Sequence, residues 1–156
     1  MGAISRIVVG LDGSEGSAAA AAWCAELAAP TGAQVLAVHG AGKLPEVFRG
    51  APDAVAAGLD LSGHRHPGWK RDAEITLERW CEPLRTAGVP YRSAVVEDDA
   101  VHALLHVAAH EHADLIVVGA QGHGGMVGRI LGGVTYKLAH HAHVPVVIVP
   151  GGLAEG

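Results

Sequence analysis

The sequence predicts an open, doubly wound α/β fold, in which a five-stranded parallel sheet carries helices on both faces. Short apolar runs of strand length alternate with longer helix-forming stretches along the 156 residues, which is the pattern of consecutive βαβ units. The apolar runs, such as LIVVG and VVIV, are nearly continuous, as in strands that are buried on both faces. The length fits one domain, so we expect a single domain over residues 1–156.

The predicted strands are β-branched and apolar, and each is followed by a glycine, a proline or a polar turn. In chain order they cover residues 4–10, 33–39, 91–97, 114–120 and 145–150. The last one, PVVIVP, is bounded by prolines at both ends.

Helical periodicity and end signals predict four helices. An alanine-rich run is closed by Pro30 and Gly32, and a charged amphipathic stretch carries Pro83 late in its length, where we expect a bend. Asp98 and Asp99 favour the positive end of the third helix. The helices cover residues 18–29, 69–87, 98–113 and a stretch from about Met126 or Val134 to His141.

Residues 40–67 break the alternation of strands and helices. Glycine and proline recur through this segment, and no hydrophobic period is sustained. We expect a long variable loop, with a helical turn near residues 52–59. Loops of this length are uncommon in compact domains unless they have a function.

Composition limits the kinds of partner to expect. With 11 basic and 16 acidic residues the net charge is −5, and no Lys/Arg cluster interleaves with aromatic residues, so we expect no nucleic-acid partner. No apolar run approaches the length of a membrane span and the start lacks a signal-peptide pattern, so we expect a cytoplasmic protein without a membrane partner. Cys24 and Cys81 fit reduced, structural thiols in that compartment.

The stretch VVGAQGHGGMVGRILGGVTYK, from Val117 to Lys137, is unusually dense in glycine for a strand-to-helix junction. In open α/β sheets, ligands bind beyond the carboxyl ends of the strands, where the strand order reverses. Glycine lets backbone N–H groups approach a ligand, and a helix N-terminus adds a favourable dipole for phosphate. The alternative is that glycines 119–125 only form a tight turn and allow close packing of helix and sheet.

Known catalytic and nucleotide fingerprints are missing from the sequence. It has no GxxxxGK[ST], no GxGxxG after the first strand, no GxSxG elbow, and no SGGxDS-type loop of an ATP pyrophosphatase. No nucleophile with an adjacent base is evident, so we predict no catalytic residues and at most a slow ATPase.

The spaced motif Gly119-x2-Gly122-x9-Gly132, followed by Gly133, resembles the ATP-binding signature of the universal stress protein family. The resemblance covers nearly the whole chain, from the turn DGS after the first strand to PVVIVP at the end. It implies a Rossmann-like fold of the adenine-nucleotide-binding type. It also implies ATP as the cofactor, with Mg²⁺ accompanying the phosphates and no dedicated metal ligands.

Carried over position by position, the resemblance implies a site built from strand ends and the start of the last helix. Asp12 would lie near the base or ribose, Gly40 near the adenine, and Gly122 beside the ribose and first phosphate. The start of the last helix would hold the phosphate chain. The implied residues are Gly10, Leu11, Asp12, Gly40, Val118, Gly119, Gly122, Gly132, Gly133, Val134 and Thr135.

Two charged or titratable residues of the glycine-rich stretch are further candidates. His123 lies inside the glycine loop and either contacts a phosphate or is simply exposed. Arg129 is the evident positive charge for a triphosphate, or else a surface residue.

Gly133 departs from the family pattern, which usually has Ser or Thr at this position. The hydroxyl contact to phosphate is lost while the backbone N–H remains. One hydrogen bond to a charged group contributes about 1.5–3 kcal/mol, so affinity would fall about ten- to a hundredfold. Thr135 is expected to compensate in part.

His102, His106 and His110 are spaced four residues apart, so a helix aligns them in one stripe. Two such histidines can share a zinc ion. We favour a solvent-facing stripe and predict no metal site, because apolar residues supply the competing core face of this helix.

The leading hypothesis is a stress-response protein that uses bound ATP as a conformational or interaction signal to an unknown protein partner. The resemblance also implies a homodimer, and antiparallel pairing of strand 145–150 across a two-fold axis would cover its apolar edge. The alternative is a nucleotide-free dimeric scaffold of the same fold.

Overall fold

The computed structural model describes residues 2–42, 67–121 and 132–151, and it confirms the predicted fold class. Five parallel strands form one sheet, flanked by helices on both faces. The strands are β1 Arg6–Gly10, β2 Gln34–Gly40, β3 Tyr91–Val96, β4 Leu115–Gly119 and β5 Val146–Val149.

The strand order β3-β2-β1-β4-β5 reverses between β1 and β4. The chain builds outward from β1 to β3, and then returns to add β4 and β5 on the other side of β1. Val8 lies between Leu36 and Ile116 in the parallel register. The carboxyl ends of β1 and β4 therefore flank the crevice in which ligands of such sheets bind.

The helices cover both faces of the sheet and enclose two apolar clusters. The first three helices pack on one face, over Ile7, Val9 and Val117. The last two pack on the other, over Val8 and Ile116. The helices are α1 Glu15–Thr31, α2 Trp69–Trp80, α3 Glu82–Thr86, α4 Ala100–His110 and α5 Gly133–His141.

Helix α1 is longer than its sequence pattern predicts. It begins at Glu15 because the Ser14 hydroxyl accepts a hydrogen bond from the Ser17 N–H at 3.1 Å, which caps the first turn. It continues through Pro30 and ends at Gly32, whose φ of 72° closes the helix in the left-handed conformation. The predicted end of this helix at residue 29 was wrong by two residues. A proline this near the C-terminus of a helix disturbs hydrogen bonds only in the last turn, so the helix can continue through it.

The single helix predicted over residues 69–87 is two helices that meet at Cys81. The Cys81 N–H bonds to the carbonyls of both Leu77 and Glu78, at 3.1 and 3.2 Å, which ends α2. Pro83 then lies in the first turn of α3, where its missing N–H is not required. Instead of bending one helix, Pro83 begins a new one.

The outer part of the sheet is tied to α2 by one carboxylate. Glu78 accepts hydrogen bonds from the Tyr91 hydroxyl at 2.8 Å and the Ser93 hydroxyl at 2.9 Å, and it lies 3.3 Å from Arg85. The Tyr91 hydrogen bond is the largest of the effects that hold the pKa of Glu78 below its ordinary value. On the other face Arg92 pairs with Glu111 at 3.2 Å, so β3 is polar on both sides.

The predicted loop 40–67 lies mostly outside the described residues, and so does its helical turn near 52–59. Its first residues stay attached to the sheet, because the Ala41 N–H bonds to the Val96 carbonyl at 2.9 Å and the Gly42 N–H bonds to the Asp98 carbonyl at 2.8 Å. Among the described helices, none is long and apolar enough to span a membrane.

The start of α1 lies directly against the end of β4, with no space for a side chain between them. A Cβ placed on Gly119 would lie 2.5 Å from the carbonyl carbon and oxygen of Gly16. A Cβ on Gly16 would collide with the carbonyl oxygen of Gln121. Packing alone therefore requires glycine at Gly119, whatever else that residue contacts.

Gly119→Ala should destabilise the fold, and Gly133→Ala should not. In the first variant the added methyl group pushes the backbone of β4 away from the backbone of α1 at Gly16. We therefore expect its free energy of unfolding to fall by about 1–3 kcal/mol. The second meets no atom within 4 Å in a helical conformation, so its stability should stay the same or rise by up to about 1 kcal/mol. Urea denaturation of both variants checks this, and equal midpoints for Gly119→Ala and the wild type would contradict the packing argument.

Candidate functional site

A cavity of about 930 Å³ opens at the carboxyl ends of β1, β2 and β4, where the strand order reverses. Its apolar lining includes Val38, Leu104, Leu105 and Val118. The first turns of α1, α4 and α5 surround it. Its size matches small-molecule and cofactor pockets.

Ten of the thirteen residues predicted for the site line this cavity. The other three, Gly122, His123 and Arg129, lie outside the described residues. The structure thus brings together residues from four separate elements, and their contact with a ligand stays a prediction. The ten are Gly10, Leu11, Asp12, Gly40, Val118, Gly119, Gly132, Gly133, Val134 and Thr135.

The turn after β1 is held rigid by its own polar side chains. Asp12 accepts hydrogen bonds from the N–H and the hydroxyl of Ser14, the first at 2.9 Å. The Asp12 N–H donates to the Ser17 hydroxyl at 3.3 Å, and that hydroxyl donates to the Ser14 carbonyl at 3.1 Å. The Asp12 carboxylate therefore has a fixed position at the edge of the cavity.

His39, at the end of β2, supports the same turn and was not predicted. Its Nδ1 lies 2.9 Å from the Leu11 carbonyl oxygen, which can only accept, so Nδ1 carries the proton. Its ring meets Trp80 edge to face, with the centroids 5.2 Å apart. A polar residue at the carboxyl end of an otherwise apolar strand was the available signal.

Gly40 allows α4 to begin against the end of β2. A Cβ on Gly40 would lie 2.6 Å from the Ala100 Cα and 2.8 Å from its nitrogen. Like Gly119, Gly40 is required by the approach of two backbones.

Helix α4 starts with a side-chain cap that faces the cavity. Asp99 accepts from the His102 N–H at 3.0 Å, and its other oxygen lies 2.6 Å from the His102 Nδ1. The backbone hydrogen bond is the largest cause of the lowered pKa of the Asp99 carboxyl. This positive helix end is therefore already occupied by a carboxylate.

The histidine stripe of α4 is exposed, as expected from the sequence. His106 and His110 stack with their ring centroids 6.2 Å apart. Among the described residues, the donor atoms of Asp98, Asp99 and His102 lie within 4.8 Å of one another, and there Asp99 and His102 already bind each other. That the stripe holds no metal stays a prediction.

Among the described residues, no side chain caps the start of helix α5. Its N-cap is Gly132, in extended conformation, which has no side chain to offer. Gly133 follows with open space where a Cβ would stand. The first turn of α5 therefore presents backbone N–H groups and a positive dipole end at the cavity.

Thr135 fixes α5 to the sheet. It is 3% exposed, and its hydroxyl donates to the Gly119 carbonyl at 2.8 Å. We expected the Thr135 hydroxyl to compensate in part for the missing hydroxyl at Gly133, but its proton is donated to the Gly119 carbonyl. In this arrangement the Thr135 hydroxyl positions the helix start and has no proton to donate to a phosphate.

The fold and the cavity define an α/β protein with an open cavity at the reversal of its strand order. The chain belongs to the universal stress protein family, because the model of that family matches residues 3–150. A universal stress protein of Mycobacterium tuberculosis is 34% identical over 146 residues, which are 91% of this chain and 44% of that relative. The chain thus spans about half the length of several curated relatives that it matches.

Solved structures share the fold. A universal stress protein in complex with cAMP is 26% identical, with a TM-score of 0.61 over 95% of this chain and 98% of that one. Universal stress protein UspA from Lactobacillus plantarum has a TM-score of 0.73 over 96% and 99% of the two chains. At 18% identity this second likeness shows the fold alone.

The carboxylate cap of α4 should make part of the stability depend on pH. Since the folded state lowers the pKa of Asp99, its contribution is present above the unfolded pKa of about 4 and is lost as the pH falls through the folded value. Asp99→Asn keeps the capping oxygen but has no charge. The Asp99 side chain is 54% exposed, so we expect the wild type to be more stable by less than about 1 kcal/mol at neutral pH.

This difference should vanish between about pH 5 and pH 2, as measured by urea denaturation of both proteins. Glu26→Gln, on the exposed side of α1, controls for the loss of one carboxylate. A difference that is the same at every pH would show that Asp99 does not act through its charge.

Proposed function

We propose that this cavity binds an adenine nucleotide, with ATP as the ligand and Mg²⁺ carried on its phosphates. The protein would then serve as a nucleotide-dependent stress-response or signalling module. The proposal rests on one observation: Asp12, Gly40 and Gly119 line the same cavity as the uncapped start of α5. The cAMP complex of a family member supports the ligand class.

Capping of the three helix starts indicates how the ligand lies. Ser14 and Asp12 occupy the start of α1, and Asp99 occupies the start of α4, so both ends carry a carboxylate that repels phosphate. The start of α5 has glycine at its first two positions and no side-chain cap. We therefore place the phosphates at α5.

The nucleoside then lies over the apolar lining formed by Val38, Leu104 and Val118. The base and sugar carry N–H and O–H donors, for which the carboxylates of Asp12 and Asp99 are suitable acceptors. This orientation follows from charge and polarity alone, and it agrees with the arrangement implied by the sequence motif.

We propose a signal carried by the bound nucleotide, with hydrolysis slow at most. Among the described lining residues, the acidic groups are Asp12 and Asp99, and both already hold hydrogen bonds from the protein. A general base has to accept a proton from an attacking water, and these bonds compete with that role. The two cysteines are buried and free, which fits the cytoplasm as the proposed location.

We propose a homodimer through β5. In the described sheet β5 pairs with β4 on one side only, and Val146, Val147 and Ile148 are half-buried on this edge strand. An apolar edge strand is stabilised when a second strand covers it. Antiparallel pairing across a two-fold axis satisfies the backbone groups of both copies.

The competing function is a dimeric scaffold that binds no nucleotide. Close backbone packing accounts for Gly16, Gly40 and Gly119 without any ligand. Gly133 lacks the family's usual hydroxyl, and Thr135 does not supply one. These observations make a direct binding measurement decisive.

Two substitutions at Gly133 test the nucleotide proposal without disturbing the fold, since its Cβ position is open. Gly133→Ser restores a hydroxyl beside the phosphates and should tighten ATP binding about ten- to a hundredfold. Gly133→Asp places a carboxylate where a phosphate would lie and should weaken binding at least about tenfold. Titration calorimetry with ATP measures both.

Both variants should unfold at or above the wild-type denaturant midpoint, because serine and aspartate suit a helix start. Loss of binding in Gly133→Asp is then a local effect on the site. If neither the wild type nor Gly133→Ser binds ATP at millimolar concentration, the scaffold function replaces the nucleotide proposal.

A further inference from the structure

The wall of the cavity along α5 carries a second positive feature beyond the helix start. Lys137 and His141 both line the cavity, and their spacing of four residues places them on the same side of α5, about one turn apart. His102 lines the cavity from α4. Among the described lining residues, Lys137 is the one with a permanent positive charge.

Within the part of the chain that the structure describes, neither Lys137 nor His141 has an ion-pair partner. By contrast, Arg85 and Arg92 form ion pairs with nearby glutamates, at 3.3 Å to Glu78 and 3.2 Å to Glu111. His141 has a ring contact with His140, with the centroids 6.4 Å apart. No described carboxylate therefore competes with a ligand for the Lys137 ammonium group.

We propose that Lys137 and His141 of α5 form a site for the outer phosphate groups of the bound nucleotide, with Lys137 as its permanent positive charge. This inference rests on the proposed function, and it adds the preference for ligands with several phosphates. The start of α5 holds one phosphate through backbone N–H groups. Lys137, one turn further on, contacts the next.

The other charged or titratable groups that line the cavity are Asp12 after β1, His39 on β2, and Asp99 and His102 on α4. Asp99 caps α4 and lies 2.6 Å from His102, so its carboxylate is held at the α4 end of the cavity.

The test compares ATP, AMP and adenosine by titration calorimetry on the full chain. Lys137→Gln should weaken ATP binding about three- to tenfold, weaken AMP binding less, and leave adenosine binding unchanged. Lys137→Arg should restore ATP binding. Lys70→Gln, on α2 and away from the cavity, is the matched control and should have no effect.

The contribution of His141 is tested by His141→Asn, which should weaken ATP binding more than AMP binding and leave adenosine binding unchanged. The matched control is His140→Asn, since His140 is the exposed neighbour of His141 and does not line the cavity.

If Lys137→Gln and His141→Asn bind ATP as tightly as the wild type, the cationic site is wrong and the proposed function stands. If the wild type binds adenosine and ATP equally well, the site is equally wrong. Failure of the wild type to bind ATP, AMP or adenosine would overturn the proposed function itself, and the cationic site with it.

Discussion

The approach of helix starts to strand ends, backbone against backbone, is the constraint on which the site depends. Gly16 of α1 lies against Gly119 of β4, and Gly40 of β2 lies against Ala100 of α4, with no space for a Cβ at any of the three glycines. These contacts bring the positive ends of two helices to the crevice between β1 and β4. Thr135 ties α5 to the same place through the Gly119 carbonyl. One strand end thus positions helices on both faces of the sheet.

Glycine consequently has two distinct roles in this cavity. At Gly119 it is required because neighbouring backbone leaves no room, and the same residue is part of the nucleotide signature. At Gly133 there is room for a side chain, and its absence leaves the start of α5 open. The first kind of glycine specifies the shape of the fold, and the second leaves space in the cavity wall at the start of α5. The spacing of the glycines in the motif does not distinguish these two roles.

Much of the fold could be predicted from local pattern, because strands buried on both faces leave a strong apolar signature. All five strands lie within one or two residues of their predicted bounds. The break between α2 and α3 was less predictable, since Pro83 signalled a disturbance but the end of α2 depends on hydrogen bonds at Cys81. In the site, glycines and Asp12 were identifiable from spacing and resemblance. His39, Asp99 and Lys137 were not, because whether a side chain faces the cavity depends on how each element is rotated against the sheet.

The two edges of the sheet differ in chemistry. At one edge, β5 presents VVIV between prolines. At the other, β3 carries Arg92 in an ion pair, and Tyr91 and Ser93 bonded to Glu78. Joining the apolar edge of one copy to the polar edge of the next would desolvate these charged groups without a matching partner. Edge-to-edge growth into filaments is therefore disfavoured on physical grounds, whereas a pairing of β5 with β5 would close after two copies.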